Sequence, residues 1–205
     1  MRNDLMKNLP QETMFQMAKL SMAEVMYKKL EDGEYKETLR REFEKFSPTA
    51  TMILNLLHSN DTPKFELVNY TQDQYAMHND ESIIIGTLLK GTPRIFRIVA
   101  FETFSPFRGQ GKGKELYVEF EKALKEMDVT AVVLTANNQF VKDIESEKVR
   151  LKEFYTKLGF CSLDDEYEYY DNEFFKAFKK VSIHSVHNKN LKYLSNSANR
   201  IKNLK

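Results

Sequence analysis

One cysteine, Cys161, no tryptophan, seven glycines and four histidines stand among the 205 residues of the chain. A lone cysteine excludes an internal disulfide framework and a zinc site built on several thiolates, and it points to a reducing, cytoplasmic setting. Long apolar runs are missing too. The longest, Ser82 to Leu89 and Val129 to Leu134, fall far short of the roughly 20 residues a membrane-spanning helix needs, so no membrane partner is expected. Asp4, Pro10 and Glu12 break up the apolar positions at the start, where a signal peptide would need an unbroken apolar stretch. Excess charge of one sign is also lacking. Thirty-one Lys and Arg against 30 Asp and Glu leave a net charge of +1, so the chain as a whole does not present the field of a nucleic-acid binder.

Charge is nevertheless unevenly spread. No acidic residue follows Glu173, while Lys176, Lys179, Lys180, Lys189, Lys192, Arg200, Lys202 and Lys205 make the end of the chain basic. The stretch before it is acidic, from Asp164 to Glu173. A nucleic acid could be held by such a tail, but Tyr193 is its single aromatic after Phe178, which offers bases little to stack on and disfavours that reading.

Helical spacing runs from Pro10 to His58. Met14, Ala18, Ser21 and Val25, with Met22, Met26 and Lys29, recur every three or four residues, Gly33 interrupts, and Leu39, Phe43 and Phe46 continue. The methionine-rich face is expected to be core, because methionine fills irregular gaps. Ser47-Pro48 reads as an N-cap and first residue of a helix over 49–58. After Asn60-Asp61-Thr62-Pro63 the pattern changes to strands over 65–70, 74–78, 82–89 and 94–104, the last three as an antiparallel meander. A glycine-rich loop, a helix over 113–127, a buried strand over 130–135, a polar insertion over 139–146 and a helix over 147–158 closed by Gly159 follow. Strands over 160–163 and 174–181 complete the set. The expected organisation is a helical segment, residues 1–62, a domain over 63–182, and a basic tail over 183–205.

The loop Arg108-Gly109-Gln110-Gly111-Lys112-Gly113 carries the most chemistry. Three glycines at alternate positions between a strand and a helix let the backbone turn tightly and aim N–H groups outward, a nest for phosphate or pyrophosphate. A nucleotide P-loop is excluded because Gly113-Lys114 is followed by Glu115, which has no hydroxyl for magnesium. The dinucleotide fingerprint Gly-x-Gly-x-x-Gly fits poorly, since the third glycine arrives one residue early.

Arg108 to Gly113 resembles the Arg/Gln-x-x-Gly-x-Gly/Ala signature of Gcn5-related N-acetyltransferases. Ile85-Gly86 is similar to the Val-Gly of that family's third strand, Phe101 to Thr103 occupies its fourth-strand position, and Phe154-Tyr155-Thr156-Lys157-Leu158-Gly159-Phe160 matches its Phe-Tyr-x-x-x-Gly-Phe motif. The resemblance covers most of residues 74–181. It implies an α+β fold: a central mixed, mostly antiparallel sheet flanked by helices, whose parallel fourth and fifth strands splay apart to admit pantetheine. The N-terminal helices would then lie on the acceptor side, taking the place of helices that Tyr70 to Gln74 leaves no room for.

The implied activity is acetyl transfer from acetyl-CoA to a primary amine of a small molecule, protein or aminoacyl group. Phe101, Glu102, Thr103, Arg108, Gly109, Gln110, Gly111, Lys112, Gly113 and Lys114 would contact the coenzyme. The family's coenzyme-binding asparagine is taken as Asn138, since the equivalent helix start falls on Lys148. Tyr155 would protonate the departing thiolate, or else be an aromatic packed under the sheet. Glu102 would act as general base through water, or else face solvent. Arg108 would meet a phosphate or cover the sheet edge with its stem. Lys112 and Lys114 would meet phosphate or only water. A silent coenzyme-A-binding module is the remaining alternative, and a homodimer is left open. No metal is expected: His58 and His78 read as lone histidines, His184 and His187 as exposed polar residues, and Cys161 as a buried thiol.

Overall fold

A computed structural model of the chain describes residues 5, 9–90, 94–136, 138, 140–162 and 176–180. The acidic stretch 164–173, His184, His187 and the tail over 183–205 lie outside the described residues, as does the side chain of Cys161. Among the described residues no helix is long and apolar enough to cross a membrane.

Three helices come first: α1 (Gln11–Lys29), α2 (Glu34–Phe43) and α3 (Pro48–Ser59). The expected cap of α3 is present, with Ser47 Oγ accepting from Ala50 N at 3.3 Å and Pro48 in the first turn. α1 lies against α3 through Thr13, whose hydroxyl is 3.3 Å from that of Ser59, and Glu24, which accepts from Thr49 Oγ1 at 2.7 Å. These two pairs fix an antiparallel arrangement. They also correct the expectation for the methionine face. The inward line of α1 passes through Thr13, Met17, Glu24 and Tyr27, so Met17 and Tyr27 are buried while Met14, Phe15, Met22, Val25 and Met26 are exposed. Apolar residues occur all round this helix, and tertiary contact decides which are covered.

Strands β1 (Val68–Thr71), β2 (Gln74–His78), β3 (Ser82–Leu89) and β4 (Ile95–Thr103) follow. β1 begins later than its apolar pattern suggests because Phe65 turns with φ 61° and gives its N–H to the His78 carbonyl at 2.8 Å. Asn79 closes the β2–β3 turn: its N–H reaches Ser82 O at 3.1 Å and its side chain accepts from Ser82 N at 2.7 Å. Asp80 takes the left-handed conformation this turn needs, φ 69°, which short Asx side chains tolerate.

A short 3-10 turn (Ser105–Phe107) and α4 (Lys112–Glu126) carry the chain from β4 to β5 (Ala131–Thr135), the kind of crossover a parallel pair requires. The parallel register joins Ile95 to Ala131 through Ile98 to Leu134, and β4 continues on to Thr103. Next, α5 (Ile144–Lys157) starts three residues earlier than its apolar spacing indicates. Asp143 caps it, accepting from Ser146 N at 3.0 Å and Ser146 Oγ at 2.6 Å, and so draws part of the polar insertion into the helix. β6 (Cys161–Ser162) and β7 (Lys176–Lys180) pair antiparallel, and β7 pairs antiparallel with β5. The sheet order is β1-β2-β3-β4-β5-β7-β6. It is the mixed α+β sheet expected from the sequence, with its parallel pair at β4–β5.

The chain forms two compact units, Met1–Gly86 with Ala100–Phe120, and Thr87–Val99 with Glu121–Lys205. In the first, Leu56 and Leu57 of α3 share a core with Tyr70, Ala76, Ile83 and Ile85. The helical segment is therefore built onto β1–β3. In the second, Ile95, Ala131 and Val133 pack together with Leu89.

Candidate functional site

The glycine-rich loop is built as its sequence demands. Gly109 and Gly111 have φ 78° and 80°, left-handed conformations costly to other residues. Nothing would meet a Cβ at either position within 4 Å, so backbone conformation, and not crowding, selects glycine there. Gly113 differs. It is buried, and a Cβ there would lie 2.8 Å from Thr103 Oγ1 and 3.5 Å from the Phe101 ring, so the third glycine lets α4 approach β4. The first helical hydrogen bond of α4 runs from Glu115 N to Gly111 O at 2.9 Å. The N–H groups ahead of it have no partner within the helix and add to the positive end of its dipole.

Side chains brace this loop from within the first unit. Arg108 Nε donates to Thr103 O at 3.0 Å and Gln110 Nε2 to Pro106 O at 2.8 Å. Arg108 is thus exposed at the loop's rim with its Nε tied to the end of β4. Asn79 Nδ2 donates to Lys112 O at 3.2 Å, and Phe104 N donates to Glu81 O at 2.8 Å, so the β2–β3 turn holds both ends of the loop. Lys112 Nζ lies 3.5 Å from Glu115 and 3.8 Å from Glu81, while Lys114 is exposed. Phe101 stacks on Tyr117 of α4 with ring centres 6.0 Å apart. Phe101, Glu102, Thr103 and Arg108 to Lys114 are therefore gathered in one unit at the β4–α4 junction.

Glu102 is half-buried, and its carboxylate is engaged by the cap of α3. Ser47 N donates to Oε2 at 2.9 Å and Ser47 Oγ donates to Oε1. Burial pushes the carboxyl above its ordinary value, opposed by the Ser47 hydrogen bonds and by Arg108. Expected from the sequence as a base acting through water or as a solvent-facing strand residue, Glu102 also anchors β4 to α3 through Ser47.

In the second unit Tyr155 is buried on α5 between two aromatic edges, Phe154 at 5.1 Å and Phe160 at 5.5 Å. Gly159 at φ 86° ends the helix and lets Phe160 N return to Tyr155 O at 3.0 Å. The Phe-Tyr-x-x-x-Gly-Phe run is thus a helix end that folds its last phenylalanine onto its tyrosine. Asn138 Nδ2 donates to Glu147 Oε1 at 3.0 Å and its Oδ1 accepts from Phe140 N at 3.2 Å. Its amide is bound to its own loop and α5.

His58 and His78 are not alone. They meet Asp80 in a cluster whose nitrogen and oxygen atoms all lie within 4.8 Å of one another. The residues are separated in sequence and joined only when α3 packs beside the β2–β3 turn, so spacing held no signal for it.

No family model and no curated protein matches the chain. Among solved structures, the PaiA N-acetyltransferase from Thermoplasma acidophilum in complex with coenzyme A is similar at 20% identity, covering 82% of this chain and 91% of that one, with a TM-score of 0.42. An acetyltransferase of the GNAT family from Staphylococcus aureus Mu50 is similar at 12% identity over 85% of this chain and 96% of that one, TM-score 0.43. Ard1 from Thermoplasma volcanium is similar at 24% identity over 49% and 63%, TM-score 0.34. These are partial likenesses of chain path.

Proposed function

We propose that the chain is an N-acetyltransferase of the Gcn5-related type that moves the acetyl group of acetyl-CoA onto a primary amine. The observation that carries this reading is the loop from Arg108 to Gly113, where two left-handed glycines lead into the N-terminus of α4 beside the end of β4. Backbone N–H groups so placed favour a pyrophosphate, and the Arg108 and Lys114 side chains stand at the loop's exposed rim. Lys112, half-buried, lies at the same helix start.

In the proposed reaction a neutral amine attacks the thioester carbonyl, forming the C–N bond as the C–S bond breaks. The amine's proton leaves to a base, and the coenzyme thiolate takes one from an acid. Tyr155 is the proposed acid, supported by its place in the Phe-Tyr-x-x-x-Gly-Phe run and by a burial that fixes its ring. Glu102 is the proposed base, supported by the upward push on its carboxyl, which brings it nearer the pH at which a base is useful. The acceptor is a primary amine of a small molecule, protein or aminoacyl group.

Calorimetry with acetyl-CoA, followed by a thiol-release assay over a panel of amines, tests the proposal. Saturable acetyl-CoA binding and amine-dependent thiol release are expected. Absence of acetyl-CoA binding by the folded chain would overturn it.

A further inference from the structure

We propose that His58, His78 and Asp80 form a binding site for a divalent first-row transition ion such as Zn2+, bound through His58 Nε2, His78 Nδ1 and an Asp80 carboxylate oxygen with the fourth position left to water. The site lies wholly within the first unit and is independent of the proposed acetyl transfer.

The His78 ring lies between two acceptors. Its Nε2 is 3.2 Å from the Thr62 carbonyl oxygen and its Nδ1 is 3.1 Å from Asp80 Oδ1. Both neighbours accept hydrogen bonds, whereas a neutral imidazole has one N–H and one bare nitrogen. If Nε2 carries the proton and donates it to Thr62, the bare Nδ1 faces a carboxylate oxygen, an unfavourable meeting of two lone pairs. Asp80 N also points to Nδ1 at 3.3 Å, a long contact that suits a bare nitrogen and not a protonated one, and that would give way to a cation because the nitrogen has a single lone pair. The side chain is buried, where a second proton and its charge are disfavoured. A cation between Nδ1 and Oδ1 resolves the contact.

The remaining groups fit that cation. His58 Nε2 is also 3.1 Å from Asp80 Oδ1, and the two rings meet edge to face with centres 5.1 Å apart. Zinc–nitrogen and zinc–oxygen bonds of about 2.0–2.2 Å at tetrahedral angles put neighbouring ligand atoms about 3.3 Å apart. The two nitrogen–oxygen separations already approach this. A carbonyl that takes the far N–H of a metal-bound histidine is the usual support for such a ligand, and Thr62 occupies that place. Lys64 Nζ holds the other carboxylate oxygen, Oδ2, at 2.6 Å, leaving Oδ1 toward the histidines. Asp80, with its backbone left-handed, sets one oxygen, Oδ1, 3.1 Å from a nitrogen of each ring. The same turn supports the glycine-rich loop through Asn79 and Glu81, so an ion here would stiffen the loop's footing.

The test uses the full chain stripped of metal by a chelator. Calorimetric titration with Zn2+ and absorption titration with Co2+ are expected to show one equivalent bound, a tetrahedral cobalt spectrum, and a melting temperature raised by added zinc. His58→Ala should weaken binding by about 10- to 100-fold or more and still fold, since that side chain is 48% exposed. Asp80→Asn, which keeps the turn's backbone preference, should do the same. A paired His184→Ala, His187→Ala variant should bind as the wild type does. No uptake by the wild type, unchanged uptake in His58→Ala, or loss in the paired variant alone would each overturn the proposal.

Discussion

Gly113 stands so close to Thr103 that a Cβ on the glycine would lie 2.8 Å from the threonine hydroxyl, which itself lies 3.0 Å from Ser82 Oγ. Gly113→Ala must therefore push α4 away from β4 or break the hydroxyl pair. Overpacking of this kind costs about 1–3 kcal/mol. Chemical denaturation should show that loss, and a Thr103→Ala background should remove most of it because the obstructing atom is gone. A double-mutant cycle reads the coupling directly, and strictly additive effects would show that the close approach is not what requires glycine.

Gly111 poses the opposite case, open space around a left-handed backbone. Gly111→Ala should cost about 1–2 kcal/mol of conformational strain and leave the fold intact. Gly111→Glu should be similar in stability but should abolish acetyl-CoA binding, since it sets a negative charge where the pyrophosphate is proposed to sit. Calorimetry on both variants separates strain from charge. Equal acetyl-CoA affinity in wild type and Gly111→Glu would remove the loop from the coenzyme site.

Much of the fold is legible in the sequence. Gln74 to His78 and Ser82 to Leu89 are bounded by Asn79-Asp80, whose turn chemistry is local, and the structure keeps both ranges. Ser47-Pro48 announces α3 for the same reason. The loop over 108–113 can be read because left-handed glycines leave a sequence mark. Differences arise where tertiary contact decides. The apolar positions of α1 do not reveal which stripe α3 covers. The Asp143 cap lies inside a polar stretch that looks like loop. The Ser47 contact to Glu102 and the His58, His78 and Asp80 cluster join distant segments, and no spacing rule reaches them.

Glu102 yields a pH prediction. Its carboxyl is raised above the ordinary value of 4.5, burial being the main cause. The native state therefore holds this proton more tightly than the unfolded chain. Its contribution to stability is fully present below about pH 4.5 and is lost as pH rises through the folded value. Glu102→Gln cannot titrate, so the wild type minus variant difference in unfolding free energy should fall with rising pH across that window and then flatten. Urea unfolding at a series of pH values measures it. A difference that stays constant with pH would contradict the raised carboxyl.

Tyr155→Phe tests the proposed proton donor. The Tyr155 ring is packed against Phe154 and Phe160, and phenylalanine preserves those edge contacts, so folding and acetyl-CoA affinity should change little. If the hydroxyl protonates the departing thiolate, its loss should lower turnover by roughly ten- to a thousandfold with a responsive amine, at the lower end of what general acids contribute because water can replace part of the donation. KM for acetyl-CoA should stay within about threefold, because an interaction made only in the transition state affects kcat and kcat/KM together. Pre-steady-state measurement shows whether chemistry limits the rate. A lysine-like amine free in water titrates at about pH 10.4, so the wild-type rate should rise with pH as neutral amine accumulates. Full turnover by the variant under chemistry-limited conditions would leave Tyr155 as packing and assign the proton to another group or to water.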